Sequence, residues 1–210
     1  MSSTGQNASD EHRRTLLKLL ATHSYEYSER ELVLASGKRS HEYVNCKVAL
    51  SRSEALPALG RTFLDALDIR AVAVGGLTMG ADPIAIATAH EAAGARPLRW
   101  FSVRKEPKPH GLRRIIEGDI PDGAQVTVVD DVVTTGGSTI QAIDKCRSEG
   151  LRVIQVLVLV DREEEGGLDR IRASAGPDVA VRAIFTKSEV RREWELLRTR
   201  STGVGTNTTA

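Results

Sequence analysis

The chain has 210 residues, 27% charged and 40% hydrophobic, a composition typical of one globular domain with a sizeable core. Its 29 basic and 28 acidic residues give a formal net charge of +1, which excludes a global field that recruits nucleic acid or a membrane surface. Without a membrane-length apolar run or an N-terminal signal core, we expect a cytoplasmic protein. Cys46 and Cys146 have no metal-ligand spacing and fit a reducing compartment, although a disulfide stays open.

The first predicted elements are a helix, a hairpin and a second helix. Leucines at helical spacing from Leu16 onward predict the first helix. The stretch "ELVLASGKRSHEYVNCKVAL" predicts two strands joined by a turn at Ser36 to Lys38. The following stretch, "SRSEALPALGRTFLDAL", predicts a helix that opens with a capping box from Ser51 to Glu54.

Strands and helices alternate from about Arg70 onward. The predicted strands are "RAVAVGG", "LRWFSVR", "VTVVDD", "RVIQVLVLV" and "DVAVRAIF", and the predicted helices are "ADPIAIATAHEAAG", "STIQAIDKCRSEG" and "KSEVRREWELLR". This alternation predicts an α/β fold with an open, mainly parallel sheet flanked by helices, whose ligands bind beyond the carboxyl ends of the strands. We expect a single domain over residues 10–198, between flexible polar tails at 1–9 and 199–210.

The stretch "VTVVDDVVTTGGST", residues 126–139, places two acids directly before a loop rich in threonine and glycine. Glycines let backbone N–H groups point inward, and a helix N-terminus adds partial positive charge, so this loop can cradle an anion. The carboxylates of Asp130 and Asp131 can accept vicinal hydroxyls, or water around a divalent cation. A sugar phosphate has a phosphate group for the loop and hydroxyl groups for the two carboxylates. The plainer alternative is a strand–loop–helix joint in which an aspartate caps the helix.

The segment "VVDDVVTTGGST" resembles the 5-phosphoribosyl 1-pyrophosphate (PRPP) signature of the type I phosphoribosyltransferases. The resemblance implies the type I phosphoribosyltransferase fold, in which the predicted hairpin belongs to an N-terminal hood region, and it implies a catalytic role for Asp131. The PRPP-binding residues that it implies in this segment are Asp130, Asp131, Val132, Val133, Thr134, Thr135, Gly136, Gly137 and Ser138.

A basic stretch, "VRKEPKPHGLRR", follows the previous predicted strand. Its prolines and glycine disfavour regular structure, so we expect a mobile lid over residues 105–116. The density of cations suits a polyanion such as pyrophosphate, and a closing lid would exclude water from the reactants. The alternative is a solvated charged loop.

The order "RKEPKPHG" resembles the flexible catalytic loop of the orotate phosphoribosyltransferase family. The resemblance implies that Arg104, Lys105, Lys108 and His110 bind the pyrophosphate of PRPP, with Lys108 as the chief catalytic cation. It also implies a homodimer in which each lid reaches the active site of the neighbouring subunit.

Two further segments, "LASGKRSHEYVN" and "LVDREEEGG", are similar to the parts of that family that bind orotate. The resemblance implies that Arg162 binds the orotate carboxylate and that Thr134 helps to orient orotate. An arginine at the carboxyl end of a strand also suits bidentate carboxylate recognition on its own. The alternative is an ion pair between Arg162 and a glutamate on a solvated loop.

The chain departs from the family pattern at two places where many members have lysine. Ala35 precedes the hairpin turn, and Thr78 and Met79 occupy the loop after the next strand. Lys38 or Lys47 is a candidate to supply the missing charge.

The activity implied by the resemblance is transfer of a phosphoribosyl group from PRPP to orotate in UMP biosynthesis. Mg²⁺ would be held mainly through PRPP and water, without a metal site built from protein residues. Two alternatives stay open: a phosphoribosyltransferase for another base, and a PRPP-sensing regulator. A regulator needs a nucleic-acid surface, and the sequence has neither a helix-turn-helix leader nor a strong basic excess.

Overall fold

The computed structural model of the protein describes residues 3–33, 39–106 and 114–202. Helix α1 (Ser3–His23) leads into an antiparallel hairpin of β1 (Tyr25–Val33) and β2 (Arg39–Val44), as predicted. Helix α1 begins inside the expected tail at 1–9, and the last helix continues past residue 198 into the other expected tail. Extending an existing helix in this way needs no new nucleus. Among the described residues, no helix is long and apolar enough to span a membrane.

The prediction that the second hairpin strand continues beyond Asn45 is wrong. That strand ends at Val44, and Cys46–Leu50 forms helix α2. Cys46, Ala49 and Leu50 are all buried, and their spacing of three and four residues places them on one helical face. Five residues are too few for this periodicity to stand out from a strand in the sequence.

The remaining elements alternate as the sequence predicts, and the α/β fold class is confirmed. They are a 3-10 turn (Ser53–Ala55), α3 (Leu56–Ala66), β3 (Ala73–Leu77), α4 (Asp82–Ala92), β4 (Arg99–Val103), β5 (Ile116–Glu117), β6 (Gln125–Val133), α5 (Gly137–Ser148), β7 (Arg152–Asp161), α6 (Gly167–Ala175), β8 (Ala180–Thr186) and α7 (Lys187–Thr202). Helix α6 was not predicted, and neither was the short strand β5.

The main sheet has the strand order β5-β4-β3-β6-β7-β8. Every neighbouring pair from β4 to β8 is parallel, and only the short β5 is antiparallel at the edge. The chain runs outward from β3 to β4 and then returns to the other side of β3 with β6. The strand order therefore reverses between β3 and β6, and such a reversal leaves a crevice at the carboxyl ends where ligands bind.

Two hydrophobic cores lie on the two faces of this sheet. One core joins α1, α3 and α4 to the sheet, and α7 packs against it through Trp194 and Leu197. The other core contains residues of α5 and α6. Cys46 is buried in the first core and Cys146 in the second, and both are free thiols.

A capping box exists, but not where the sequence predicted it. Helix α3 has no side-chain cap, because Glu54 pairs with Arg52 at 2.6 Å instead of returning to Ser51. At the start of α7, the Thr186 hydroxyl accepts the Glu189 N–H at 3.2 Å, and the Glu189 carboxylate accepts the Thr186 N–H at 2.8 Å. This reciprocal pair fixes the position at which α7 leaves the sheet.

Candidate functional site

Five parallel strands end at one edge of the sheet and bring distant residues together there. Thr78 follows β3, Arg104 follows β4, Thr134 follows β6, Arg162 follows β7 and Lys187 follows β8. Four of these positions lie in segments that the sequence singled out as candidate binding segments. The expected clustering at the carboxyl edge is confirmed.

The two acids lie inside β6, as the predicted strand "VTVVDD" has them, and the strand continues two residues further, to Val133. Successive residues of a strand point to opposite faces of the sheet. The Asp130 carboxylate accepts a hydrogen bond from the Thr139 hydroxyl of α5 at 2.7 Å. The Asp131 carboxylate accepts one from the Lys47 ammonium of α2 at 2.5 Å. The acid pair thus spans the sheet edge and contacts a helix on each side.

The two buried carboxyl groups have different electrostatic surroundings. Burial raises the pKa of Asp130 to about 7, and the neighbouring Asp131 charge adds to this rise although the Thr139 hydroxyl opposes it. Asp131 has Lys47 as a direct cationic partner. Burial thus disfavours the charged form of Asp130, whereas the Asp131 carboxylate has a cation at hydrogen-bond distance.

Space beside the acid pair is kept open by Gly80, in the loop between β3 and α4. A Cβ atom at this position would lie 2.5 Å from Oδ1 of Asp131 and 3.2 Å from Oδ1 of Asp130. Any side chain here would therefore collide with the Asp131 carboxylate and crowd that of Asp130. No local pattern in the sequence points to Gly80, since its role depends on a contact between this loop and strand β6, which are distant in the chain.

The loop from Thr134 to Ser138 has the form of an anion cradle. Gly136 adopts φ +81° as the residue before α5, and a Cβ there would lie 2.8 Å from the Gly167 carbonyl oxygen, so the turn requires glycine. Thr135, Gly137 and Ser138 are exposed, and α5 has no side-chain cap. The N–H groups of a first helical turn have no partner within the helix, and the Gly137 N–H makes only a long hydrogen bond, 3.4 Å, to the Thr135 hydroxyl oxygen. This turn can therefore donate to an anion.

Val132 and Val133, which also belong to the predicted PRPP motif, contribute mainly to packing. Val133 is buried in the core beneath α5, and Val132 packs against the opposite core. The Val133 carbonyl accepts the Arg162 N–H at 2.9 Å, so this residue positions the neighbouring strand end.

Arg162 is a buried cation whose side chain is only 9% exposed. Its Nε and Nη2 atoms are buried and make no hydrogen bond with the protein. The nearest acid is Glu164, with 3.6 Å between Nη2 and Oε2, which is too long for a good hydrogen bond. The predicted ion pair with a glutamate thus exists only as a loose contact, and two buried guanidinium donors stay unpaired.

The base of the predicted lid is described, but its centre is not. Lys105 is exposed, and the Arg104 guanidinium contacts Glu117 at 3.4 Å. The Lys145 ammonium of α5 donates to the carbonyl oxygens of Arg104 and Lys105 at 2.9 and 2.5 Å. These hydrogen bonds connect the base of the lid to α5, the helix that follows the loop from Thr134 to Ser138. Lys108 and His110 lie outside the described residues.

The family's missing lysines are not replaced by an equivalent contact among the described residues. The Thr78 hydroxyl donates to Asp82 at 2.6 Å and is thereby occupied, while the Met79 side chain is exposed. Ala35 and Lys38 lie outside the described residues. Lys47 reaches the acid pair, where its half-exposed ammonium pairs with Asp131, and it stays a candidate to supply the missing charge.

The raised pKa of Asp130 predicts a pH dependence of stability that Asp130→Asn should remove. An unfolded aspartate titrates near pH 4, whereas folded Asp130 titrates at about 7, so the folded state binds more protons between these values. The stability contribution of this group is complete below about pH 4 and is lost as pH rises to about 7. The free energy of unfolding of Asp130→Asn, relative to the original protein, should therefore increase across this window and then level off.

Urea unfolding at several pH values measures this difference. The control is Asp122→Asn, an exposed aspartate whose replacement should give a nearly constant difference. A difference for Asp130→Asn as flat as that of the control would show that Asp130 is not a buried neutral acid.

Known proteins similar to this chain include two orotate phosphoribosyltransferases. Orotate phosphoribosyltransferase of Leptospira biflexa is 41% identical over 187 residues, which cover 86% of this chain and 98% of that protein. The structure of Mycobacterium tuberculosis orotate phosphoribosyltransferase with Fe(III) dicitrate aligns with a TM-score of 0.73 at 33% identity, covering 85% of this chain and 98% of that one.

The structure of the same Mycobacterium tuberculosis enzyme in complex with PRPP aligns with a TM-score of 0.67 at 29% identity, covering 86% of this chain and 92% of that one. No family model matches the chain. Identity of this level over nearly the full length of the Leptospira enzyme agrees with the order of the sequence motifs and with the strand order. The chain therefore belongs to the orotate phosphoribosyltransferase family of pentosyltransferase enzymes.

Proposed function

We propose that the carboxyl edge of the sheet transfers the 5-phosphoribosyl group of PRPP to orotate, giving orotidine 5′-phosphate and pyrophosphate. The observation that carries this proposal is the open guanidinium edge of Arg162 at the same sheet edge as the acid pair and the phosphate loop. One half of the site suits a ribose phosphate, and the other half suits a carboxylate. Joining two such compounds is the reaction of the family.

The loop from Thr134 to Ser138, the phosphate loop, is proposed to bind the 5′-phosphate of PRPP. N–H groups of the first turn of α5 and the exposed hydroxyl groups of Thr135 and Ser138 are donors for phosphoryl oxygens. Asp131 and Asp130 would accept the ribose hydroxyls in the space that Gly80 leaves open. An ionised Asp131 would also stabilise positive charge that develops at the anomeric carbon.

Arg162 is proposed to bind the carboxylate of orotate, with Thr134 on the neighbouring strand end helping to orient the base. Its Nε and Nη2 atoms form one edge of the guanidinium plane, and this edge matches the two oxygens of a carboxylate. An uncharged purine would leave this buried cation without a partner, which is costly. The arginine therefore favours orotate over a neutral base as the acceptor.

The departing pyrophosphate is proposed to be neutralised by cations of the lid. Arg104 and Lys105 stand at its described base, and Lys108 and His110 complete the set in the part of the chain that is not described. Lys108 is the proposed catalytic cation because the family motif "RKEPKPHG" aligns it with that role. Its charge would oppose the negative charge that collects on the leaving group.

Mg²⁺ is the proposed cofactor. Within residues 3–33, 39–106 and 114–202, no group of three His, Cys, Asp or Glu side chains could hold a metal ion. The acid pair supplies carboxylate oxygens, which are suitable partners for the water shell of a hard cation. Mg²⁺ held by PRPP and water would thus fit beside Asp131, where it would supply charge neutralisation of the pyrophosphate.

The function is tested by following the loss of orotate absorbance with PRPP and Mg²⁺, beside a panel of purine and pyrimidine bases. We expect orotate alone to be consumed, and Lys108→Ala to lower kcat by about a hundredfold or more because the leaving group loses its cation. Lys18→Ala, at an exposed position of α1, is the matched control and should keep normal turnover. Consumption of a purine in place of orotate, or normal turnover of Lys108→Ala, would contradict the assignment.

A homodimer is proposed, with each lid acting at the partner's site. The described surface has an apolar groove of about 510 Å³ between α3 and α4, lined in part by Leu56, Pro57, Pro83 and Ile86. Leu56 and Ile86 are 40% and 47% exposed. Because α4 begins directly after the loop that contains Gly80, a second copy seated on this face would lie beside the ligand crevice.

The dimer proposal predicts that Ile86→Asp weakens association, since a buried unpaired carboxylate is costly at an interface. Sedimentation velocity should show a dimer for the original protein and a shift towards monomer for Ile86→Asp. Ile69→Asp is the matched control, because Ile69 is 81% exposed outside this groove. Equal dimer fractions for the two variants would place the interface elsewhere.

A further inference from the structure

A cluster of charged side chains surrounds Arg162 where β7 and β8 end. The Lys187 ammonium, in the first turn of α7, lies 3.1 Å from Oε1 of Glu164 and 3.1 Å from Oε2 of Glu42. Glu164 is also the acid that approaches Arg162 to 3.6 Å. Glu164 therefore stands between two cations, and its hydrogen bond goes to Lys187 rather than to Arg162.

The loop that carries Glu164 is fixed from several directions. Glu163 and Glu165, on either side of it, have φ values of 57° and 58°, a conformation that residues other than glycine rarely adopt. The Asp161 carboxylate accepts the Glu163 N–H at 2.9 Å, and the Glu163 carboxylate accepts the Ser188 N–H at 2.9 Å. These contacts bind the loop to the start of α7 and hold Glu164 next to Lys187.

Lys187 is held in place by its second partner, Glu42 of the hairpin. Glu42 also accepts hydrogen bonds from the Tyr25 hydroxyl at 2.5 Å and from Arg191 at 3.1 Å. Burial lowers the pKa of Lys187, but the hydrogen bonds to Glu164 and Glu42 outweigh burial and the pKa is raised overall. The Lys187 ammonium is thus a permanent cation at neutral pH.

The cluster contains a competition between two cations for one carboxylate. A glutamate close to an arginine ordinarily forms a short, paired hydrogen bond with its guanidinium. Glu164 instead leaves Nε and Nη2 of Arg162 without a hydrogen bond, although both atoms are buried. Unsatisfied buried donors cost free energy, so something must stop Glu164 from closing the remaining distance. Lys187 is the group positioned to do so.

We propose that Lys187 is a positioning residue that holds Glu164 away from Arg162 and so leaves the Nε and Nη2 donors of Arg162 unpaired for the carboxylate of the acceptor substrate. This inference rests on the proposed function, because it takes Arg162 as the acceptor-binding cation. When Lys187 is removed, Glu164 turns to Arg162 and satisfies it internally. Orotate then has to displace a carboxylate of the protein before it can bind.

The test is a pair of variants whose effects on orotate and on PRPP are compared. In Lys187→Met, the KM for orotate should rise about tenfold while the KM for PRPP changes by less than about twofold, since only the acceptor side loses its open cation. In the double variant Lys187→Met with Glu164→Gln, the competing carboxylate is gone, and the KM for orotate should return to within about twofold of the original value.

A purely structural role for Lys187 predicts the opposite pattern, because a second lesion in the cluster would deepen the loss. A double variant as poor as Lys187→Met overturns the proposal, and so does an unchanged KM for orotate in Lys187→Met. If Lys187→Met does not fold, Glu164→Gln alone decides: an unchanged or lower KM for orotate supports the proposal, and a tenfold increase refutes it. Lys18→Met on the exposed face of α1 is the control.

The original protein is assayed first, so that two kinds of failure stay distinct. An original protein that does not consume orotate refutes the proposed function and this inference together. An active original protein whose double variant is not restored refutes only the role of Lys187.

Discussion

Parallel pairing of the central strands is the constraint on which the site depends. Hydrogen bonding between β4, β3, β6, β7 and β8 in one direction forces their carboxyl ends to a common edge. Residues as far apart in the chain as Thr78 and Lys187 therefore border one crevice. The acid pair and Arg162 therefore need no long loop between them, because the buried strands on which they lie are neighbours in the sheet.

At the carboxyl edge of the sheet, hydrogen-bond acceptors and hydrogen-bond donors lie at the ends of different strands. On the β6 side, burial raises the pKa of Asp130, and Asp131 forms an ion pair with Lys47. On the β7 side, two guanidinium donors of Arg162 stay unpaired, although Glu164 lies 3.6 Å away. An anionic base and a sugar with free hydroxyls would each meet the complementary partner. The two reactants would thus be oriented by charges that the fold has already placed, which suits a reaction governed by positioning.

Local patterns in the sequence predicted the features that depend on neighbouring residues. The strand–loop–helix at 126–139, the α/β alternation and the position of Arg162 at a strand end were predictable because each is encoded in consecutive residues. Helix α2 was too short to show its period, and the capping box at α7 could not be distinguished from the unused one at Ser51. The contacts of Lys47 and Lys187 join residues that are distant in the chain, so no local pattern in the sequence predicts them.

The central claim is that Asp130, Asp131 and the loop from Thr134 to Ser138 bind the ribose phosphate of PRPP. Titration calorimetry of Asp131→Asn with PRPP and Mg²⁺ tests it most directly, since this change removes one charge and keeps the shape of the side chain. We expect the Kd for PRPP to increase about tenfold or more, in line with loss of hydrogen bonds to a charged acceptor. An unchanged Kd would contradict the account, because it would mean that the sugar binds without this carboxylate.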